Sequence, residues 1–384
     1  MDLQKQYMSV YTFTYAAVGV LSTLISQYLD GIGFSGAEIG TITAAGTFVS
    51  IFATAFWGKV YSASRSKHMT VMLMLLAAAG IALIVMNVKA YPLFLLLFGA
   101  MYFFQSPAMS LSDALCLDDG QMFGSVRTFG AIGFAAASFI GAYIAQKTGL
   151  RWIFPMYVVC YLAAAAFIFS IDRRKRAAGG GSQEEAAEEK KTRGGYLQLL
   201  HNRKYVMLVL SAFFIYGPNI AHNTYFSFLY LKGGGELAGV GLAFFLMAES
   251  EAPVMAWTTW LEEKITVEKL LLIAMIVSIA RFCWYGSQPP YYLLLALFFT
   301  QGIVNGIILV EFIRYVHILV GREQSGVGIA AYYAFLSCST ISCQLIGGVV
   351  LDDFGAGGVY LFFAGFNVIG LVLHLAFGLH RKKQ

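Results

Sequence analysis

The chain has 384 residues, 58% of them hydrophobic and only 12% charged, with 26 Lys and Arg against 21 Asp and Glu for a formal net charge of +5. Its apolar residues come in runs of roughly 18 to 27 positions, each enough to cross a hydrocarbon core about 30 Å thick, and a water-soluble fold has no interior that hides so many. The basic residues share no face with interleaved aromatics, which excludes a nucleic-acid surface and leaves the bilayer as the chain's main surroundings.

Hydropathy predicts twelve spans, at 8–30, 36–58, 69–88, 91–115, 125–147, 151–171, 204–231, 237–260, 269–287, 290–317, 325–350 and 356–378. In lipid every backbone amide must be satisfied inside the protein, so only helices or closed barrels span. Continuous apolar runs without two-residue alternation select helices, and the expected fold is all-α. Met1 to Tyr7 runs into a first span too long for a signal h-region, and no A-x-A site precedes the next loop, so no cleaved signal peptide is expected. Between spans six and seven lies a stretch rich in Gly, Ala and Glu, opened by Arg173-Arg174-Lys175-Arg176, with the low apolarity of a solvated tether. The expected domains are therefore 1–171 and 204–384, six spans each, joined by a linker at 172–203.

With twelve spans both termini lie on one side. Lys59, Arg65, Lys67, Arg173 to Arg176, Lys190, Lys191, Arg193, Arg203, Lys204, Lys264, Lys269, Arg322 and the Arg381 to Lys383 tail fall on that side. The opposite loops hold Lys89, Lys147, Arg151 and Lys232. The positive-inside bias predicts cytoplasmic termini in the cell membrane. Cys116, Cys160, Cys283, Cys338 and Cys343 have no metal-ligand spacing and read as small packing residues, with no disulfide framework, no metal and no cofactor expected.

The halves echo each other. Tyr28-Leu29-Asp30-Gly31-Ile32-Gly33 ends span one and Tyr230-Leu231-Lys232-Gly233-Gly234-Gly235 ends span seven, 202 residues later. Ile140-Gly141 with Gly149 returns as Ile346-Gly347 with Gly355, at an offset of 206. Two nearly equal shifts predict a duplication. Small residues such as Gly130, Gly133, Ala135 to Ala137 and Gly141 in span five allow the close helix approach that drives packing in lipid. Gly31-Ile32-Gly33-Phe34-Ser35-Gly36 formally fits a dinucleotide fingerprint, but no strand pattern precedes it, and it reads as a turn.

Ionisable residues inside spans are expensive and so mark function. Glu249 and Glu251 lie in span eight, Arg281 in span nine, Glu311 and Arg314 in span ten, with Asp113 and Arg127 in spans four and five. By rise per residue, Glu251 and Arg281 stand at similar depths, roughly 16 and 18 Å from the termini side. A carboxylate and a guanidinium there suit proton coupling, with a permanent structural pair as the alternative. Glu249 and Glu251 point about 200° apart, and Pro253 frees the Glu249 carbonyl; Glu251 is the favoured proton carrier and Glu249 the second choice. Gln301 and Asn305 stand one turn apart in span ten, and Tyr216, Asn219 and Asn223 share a face of span seven; these amides suit either a polar ligand or interhelical bonding. Glu311 with Arg314 reads as a local pair, His222 as a packed neutral imidazole, and Tyr11 with Tyr15 as a stripe for stacking a ring.

Parallel six-helix repeats resemble the layout of the major facilitator superfamily, whose substrate site lies at mid-membrane. The run Phe123-Gly124-Ser125-Val126-Arg127-Thr128-Phe129-Gly130-Ala131-Ile132-Gly133-Phe134, preceded by Asp113-Ala114-Leu115, resembles the lactose, nucleoside and phenylpropionate permease branch. So do Glu251-Ala252-Pro253 and Arg281. The chain departs from that branch at Gln301, which stands near the branch's helix-ten histidine. It departs again at Gly58-Lys59-Val60-Tyr61-Ser62, where the gating Asp is absent. The resemblance implies a monomeric proton symporter working by alternating access. It implies Asp113 and Arg127 as substrate contacts and Glu251 and Arg281 in coupling, while Asn219, Asn223, Gln301 and Asn305 stand as further polar candidates from their positions alone. Sugar or glycoside uptake ranks first; aromatic acid or nucleoside uptake and proton-driven drug efflux are the alternatives. Neither H-E-x-x-H nor G-x-S-x-G occurs, and an enzyme is not expected.

Overall fold

The computed structural model describes residues 2–177, 199, 201–262, 264–321 and 324–380. The 178–198 part of the linker, with its acidic patch, and Arg322 and the Arg381 to Lys383 tail lie outside these residues. The described residues contain helices and no strand. They comprise α1 (Leu3–Gly31), α2 (Gly36–Ala63), α3 (Lys67–Val85), α4 (Tyr91–Asp118), α5 (Phe123–Thr148) and, after a short 3-10 turn at Leu150–Trp152, α6 (Ile153–Ala177). Then come α7 (Arg203–Lys232), α8 (Leu237–Glu262), α9 (Val267–Gly286) and α10 (Tyr291–Val320), the last interrupted at Phe298.

The final helical segment, Ser325–Ala376, runs for 52 residues. Straight, it would be about 78 Å long, more than twice the bilayer core. Gly355, at φ 69°, breaks it; we label 325–354 α11 and 356–376 α12. Ten of these helical segments are long and apolar enough to cross a membrane. The long one divides in two, and α9, which carries Glu268, Lys269 and Arg281, completes a set consistent with twelve spans.

The backbone repeats as the sequence does. Left-handed glycines close equivalent turns: Gly33 (φ 95°) and Gly234 (φ 90°), Gly120 (φ 66°) and Gly321 (φ 74°), Gly149 (φ 106°) and Gly355 (φ 69°). The first two pairs are 201 residues apart, one less than the Tyr-Leu echo implies, and the third is 206 apart as read. At the first pair the Phe34 amide donates to the Leu29 carbonyl and the Gly235 amide to the Tyr230 carbonyl, both at 3.1 Å, the same helix-ending hydrogen bond.

Two compact units result. Described residues within 1–34, 45–188 and 236–245 form one, and those within 35–44, 189–235 and 246–384 the other. In the first, α1 packs along α5 and α6, while α3 packs on α4 and α6. In the second, α7 packs along α11 and α12, with α9 against the same pair and against α10. Thus α1 and α7 play matching roles, and they are the most buried of the apolar helices.

Close approach rests on missing side chains. A Cβ at Gly133 would enter the Thr12 backbone of α1, whereas one at Gly80 meets nothing within 4 Å. In the second unit Asp352 accepts from the Gly36 and Ala37 amides at 2.6 and 2.8 Å. The N–H groups that a nucleotide phosphate would need at the Gly31–Gly36 fingerprint therefore serve the protein's own carboxylate, and the motif is a turn opening α2.

On the termini side of the first unit, Asp119 follows α4 with its side chain 3% exposed. It accepts from the Tyr7 hydroxyl at 2.6 Å, meets His68 Nε2 at 3.0 Å, and is bonded by Lys175 Nζ. Burial alone would raise its pKa, but the hydrogen bonds from His68, Lys175 and Tyr7 outweigh it and hold the carboxyl below its ordinary 3.8. Beside it, Asp118 accepts from Lys67 at 2.8 Å and Tyr61 at 2.9 Å, fastening the α2–α3 turn to the end of α4 without the gating Asp.

Gly133→Ala should lower the unfolding midpoint, with a cost of about 1–3 kcal/mol for overpacking, while Gly80→Ala should leave it level or raise it; thermal unfolding of both purified variants checks the contrast. Because the folded carboxyl of Asp119 titrates below its unfolded value, its contribution is present above about pH 4 and lost as pH falls through the folded pKa. Asp119→Asn should therefore lower the midpoint near neutrality and flatten its acid dependence, measured by thermal unfolding across that range.

Candidate functional site

Each unit carries its own polar group of side chains. In the first unit it stands on α1, α4 and α5. Arg127, in the first turn of α5, donates from Nη1 to Asp113 Oδ2 at 2.6 Å, and the Tyr11 hydroxyl donates to Asp113 Oδ1 at 2.6 Å. Tyr11 and Tyr15, one helical turn apart, stack at 5.9 Å with planes 10° apart. The guanidinium lies over Tyr15 at 5.8 Å and over Phe123 at 5.7 Å. Gly130 makes room for this, since a Cβ there would press on the Tyr15 ring at 3.0 Å.

The arrangement is held but not sealed. Arg127 and Asp113 side chains remain 49% and 25% exposed, so most of the five guanidinium N–H groups are free for a ligand. A fixed carboxylate, a fixed guanidinium and a flat aromatic face together supply acceptors, donors and a stacking surface for a small polar solute.

In the second unit the polar group is buried. Asn219 of α7 accepts on Oδ1 from Arg281 Nη2 at 2.7 Å, and its Nδ2 donates to the Ile215 carbonyl at 2.8 Å. Ser278 Oγ lies 3.0 and 3.1 Å from Nδ2 and Oδ1 of Asn219 and accepts from Asn367 Nδ2 at 2.8 Å. Gln301 Nε2 donates to both the Asn219 main-chain carbonyl, at 3.1 Å, and Asn305 Oδ1, at 3.3 Å. Asn305 in turn lies beside the Glu251 carboxylate.

The depth argument for a direct Glu251–Arg281 pair is therefore corrected. Arg281 has Asn219 as its hydrogen-bond partner among the described residues, and three amides stand between it and Glu251. Rise per residue fixes height along a helix but not the direction a side chain takes around it. Arg281 is 6% exposed, and its Nε and Nη1 have no partner. Its guanidinium lies 4.8 Å from the Phe282 ring centroid, the aromatic face supplying part of the compensation a buried cation needs.

Of the remaining sequence candidates, Asn223 lies outside this network, with Oδ1 unpartnered. Glu249 is exposed while Glu251 is half-buried, as their angular separation implies. Glu311 and Arg314 form their local pair at 3.4 Å. His222 is fully buried among Phe226, Phe282, Tyr285, Phe298 and Tyr360, with Nδ1 2.9 Å from the Tyr360 hydroxyl. Sequence reasoning missed Ser278, Asn367 and the hydroxyl role of Tyr11. Ser278 sits three residues before Arg281, on the same face of α9, and that spacing was the available signal.

Comparison with known proteins completes the picture. Residues 5–362 match the model of the MFS_1 like family. The chain is 30% identical over 371 residues to the maltose permease of Geobacillus stearothermophilus, covering 95% of this chain and 92% of that protein. It is 26% identical over 391 residues to the uncharacterized transporter YwbF of Bacillus subtilis (strain 168), covering 98% and 94%. Among solved structures, a mutant form of the nucleoside transporter NupG superposes with a TM-score of 0.82 at 15% identity, covering 99% of this chain and all of that one. An auto-inhibited POT family peptide transporter superposes at 0.74 with 12% identity, over 100% and 98%. These relatives and neighbours are membrane transporters, not enzymes. With a family model and a 30%-identical relative both spanning nearly the whole chain, this multi-pass membrane transporter belongs to the MFS_1 like family of the major facilitator superfamily.

Proposed function

We propose that this transporter takes up a sugar or glycoside together with protons, by alternating access, in a cell membrane with both termini cytoplasmic and the chain acting as a monomer. The observation that carries the substrate class is the half-open Asp113–Arg127 pair braced by Tyr11 and flanked by Tyr15. Sugar hydroxyls both donate and accept, and a carboxylate beside a guanidinium meets both needs, while the tyrosine faces suit the apolar side of a pyranose. The maltose permease relative supports the same class. Aromatic acids and nucleosides form the second reading, since a stacked tyrosine face also accepts a planar ring; drug efflux uses the same chemistry in the opposite direction.

The coupling reading rests on Glu251. Amide side chains do not relay protons, so Asn305, Gln301 and Asn219 transmit orientation rather than charge. When Glu251 gains a proton its carboxyl becomes a donor, Asn305 must present its oxygen to it, and Gln301, which donates to that oxygen and to the Asn219 main-chain carbonyl, must rearrange; the link to the Asn219–Arg281 bond runs through the α7 backbone at Asn219. Glu251 exchanges its proton with water or substrate when exposed to either.

Proteoliposomes given labelled maltose, glucose, nucleosides and aromatic acids, with and without an inward proton gradient, test the reading: a sugar should accumulate only with the gradient. Efflux of the label under that gradient, or accumulation of nucleosides alone, sinks it. Glu251→Gln should abolish gradient-driven accumulation yet keep counterflow exchange. Arg127→Lys, which loses the fork, should weaken solute binding by at least about tenfold, or 1.4 kcal/mol, measured by calorimetric titration.

A further inference from the structure

The first unit carries an apolar groove that the transport reading does not use. Helices α5 and α6 each pack along α1 but barely touch one another, which leaves a trough with α1 as its floor. It has a volume of about 420 Å³ and an almost wholly apolar lining. On α5 the lining residues Gly133, Ala137, Ile140 and Ile144 repeat every three or four positions and so form one stripe. From Gly133 to Ile144 the stripe is about 16 Å long, close to half of a roughly 30 Å core, the thickness of one leaflet's acyl layer. Across it, Val159 and Trp152 of the α6 side are 64% and 51% exposed.

Cations stand beyond one end of the groove rather than in its lining. Continuing the α5 stripe by three residues from Ile144 gives Lys147, whose Nζ lies 5.9 Å from the Tyr143 ring and which makes no ion pair among the described residues. The next turn holds Arg151 beside Trp152, and Arg151 spends one N–H group on Asn87. On the other flank of that turn, Lys89, Asn87 and Arg151 line a polar pocket of about 460 Å³. Two acids stand near this end: Glu236, engaged by Gln146 at 2.6 Å, and exposed Asp30, at the end of α1 next to the Gly31 that lines the Lys89–Arg151 pocket. Cations are scarce in the loops opposite the termini: only Lys89, Lys147, Arg151 and Lys232 occur there. Two of these four, Lys147 and Arg151, flank the short turn at the end of the apolar trough beside Trp152, and Lys89 of the α3–α4 connection shares the neighbouring pocket with Arg151.

We propose that this groove is a binding site for an anionic phospholipid of the leaflet opposite the termini, with an acyl chain lying between α5 and α6 on α1 and the phosphate held by Lys147 and Arg151. Shape fixes the chain, and charge complementarity fixes the headgroup.

Native mass spectrometry of the full chain, titrated with dioleoyl phosphatidylglycerol and dioleoyl phosphatidylcholine, tests it. The wild type should bind the anionic lipid at least about tenfold more tightly. Lys147→Ala with Arg151→Ala, both at exposed positions, should erase that preference, while Lys232→Ala should keep it. Ala137→Trp should weaken both lipids, and Ile140→Trp on the groove's rim repeats the plug should the first variant fail to fold. Equal affinity for the two lipids in the wild type, or a preference that survives the double substitution, overturns the proposal. So does effective competition by glycerol 3-phosphate alone, which would mark an anion site without a chain, or disulfide cross-linking of two copies through Val159→Cys, which would make a second copy the occupant.

Discussion

Hydrocarbon offers no hydrogen bonds, and this one constraint orders the rest of the molecule. Because the solvent can satisfy nothing, the described spans are helical, and every polar side chain inside a span must find a protein partner, a ligand or a wet surface. The pattern of satisfied and unsatisfied groups is therefore a map of where something other than lipid is expected. Asp113 and Arg127 satisfy each other and still face outward from their unit's core. Arg281, Gln301 and Asn367 are buried with atoms left over. Glu311 finds Arg314 one turn away through Oε1, and its Oε2 is likewise left without a partner among the described residues.

The two polar groups differ in kind, and the difference divides their chemistry. In the first unit opposite charges are in direct contact at 2.6 Å and partly open. In the second, a cation and a carboxylate are separated by amides, with Gln301 bonded to Asn305 on one side and to the Asn219 main chain on the other. Duplication of one six-helix plan, visible in the matched left-handed glycines, supplied the same scaffold for both groups. The residues placed on it then diverged, with tyrosines and a charge pair on one and amides and a buried guanidinium on the other.

Hydropathy was enough to read the helical class, and intramembrane polarity to read part of both polar groups, because each depends only on local composition or on spacing along one helix. The sequence also supplied Arg127, Asp113, Glu251 and Arg281 as residues needing a reason to be in the membrane. It misplaced the partners. Depth suggested that Glu251 meets Arg281, yet Asn219 takes the guanidinium, because the rotation of α8 and α9 about their axes is set by packing and not by residue number. Asn367 was invisible for the same reason: nothing near it in the chain hints that it will reach Ser278 on another helix.

What the chain determined alone was its solvent, its secondary structure and its repeat, since each follows from apolar runs about 20 residues long and from glycines at fixed offsets. What only the tertiary structure decided was which polar atoms touch, which remain unpartnered, and that α5 and α6 part over α1 to leave a leaflet-deep groove. Those outcomes depend on how ridges and small residues on different helices mesh, an interaction between segments distant in sequence that no single helix encodes.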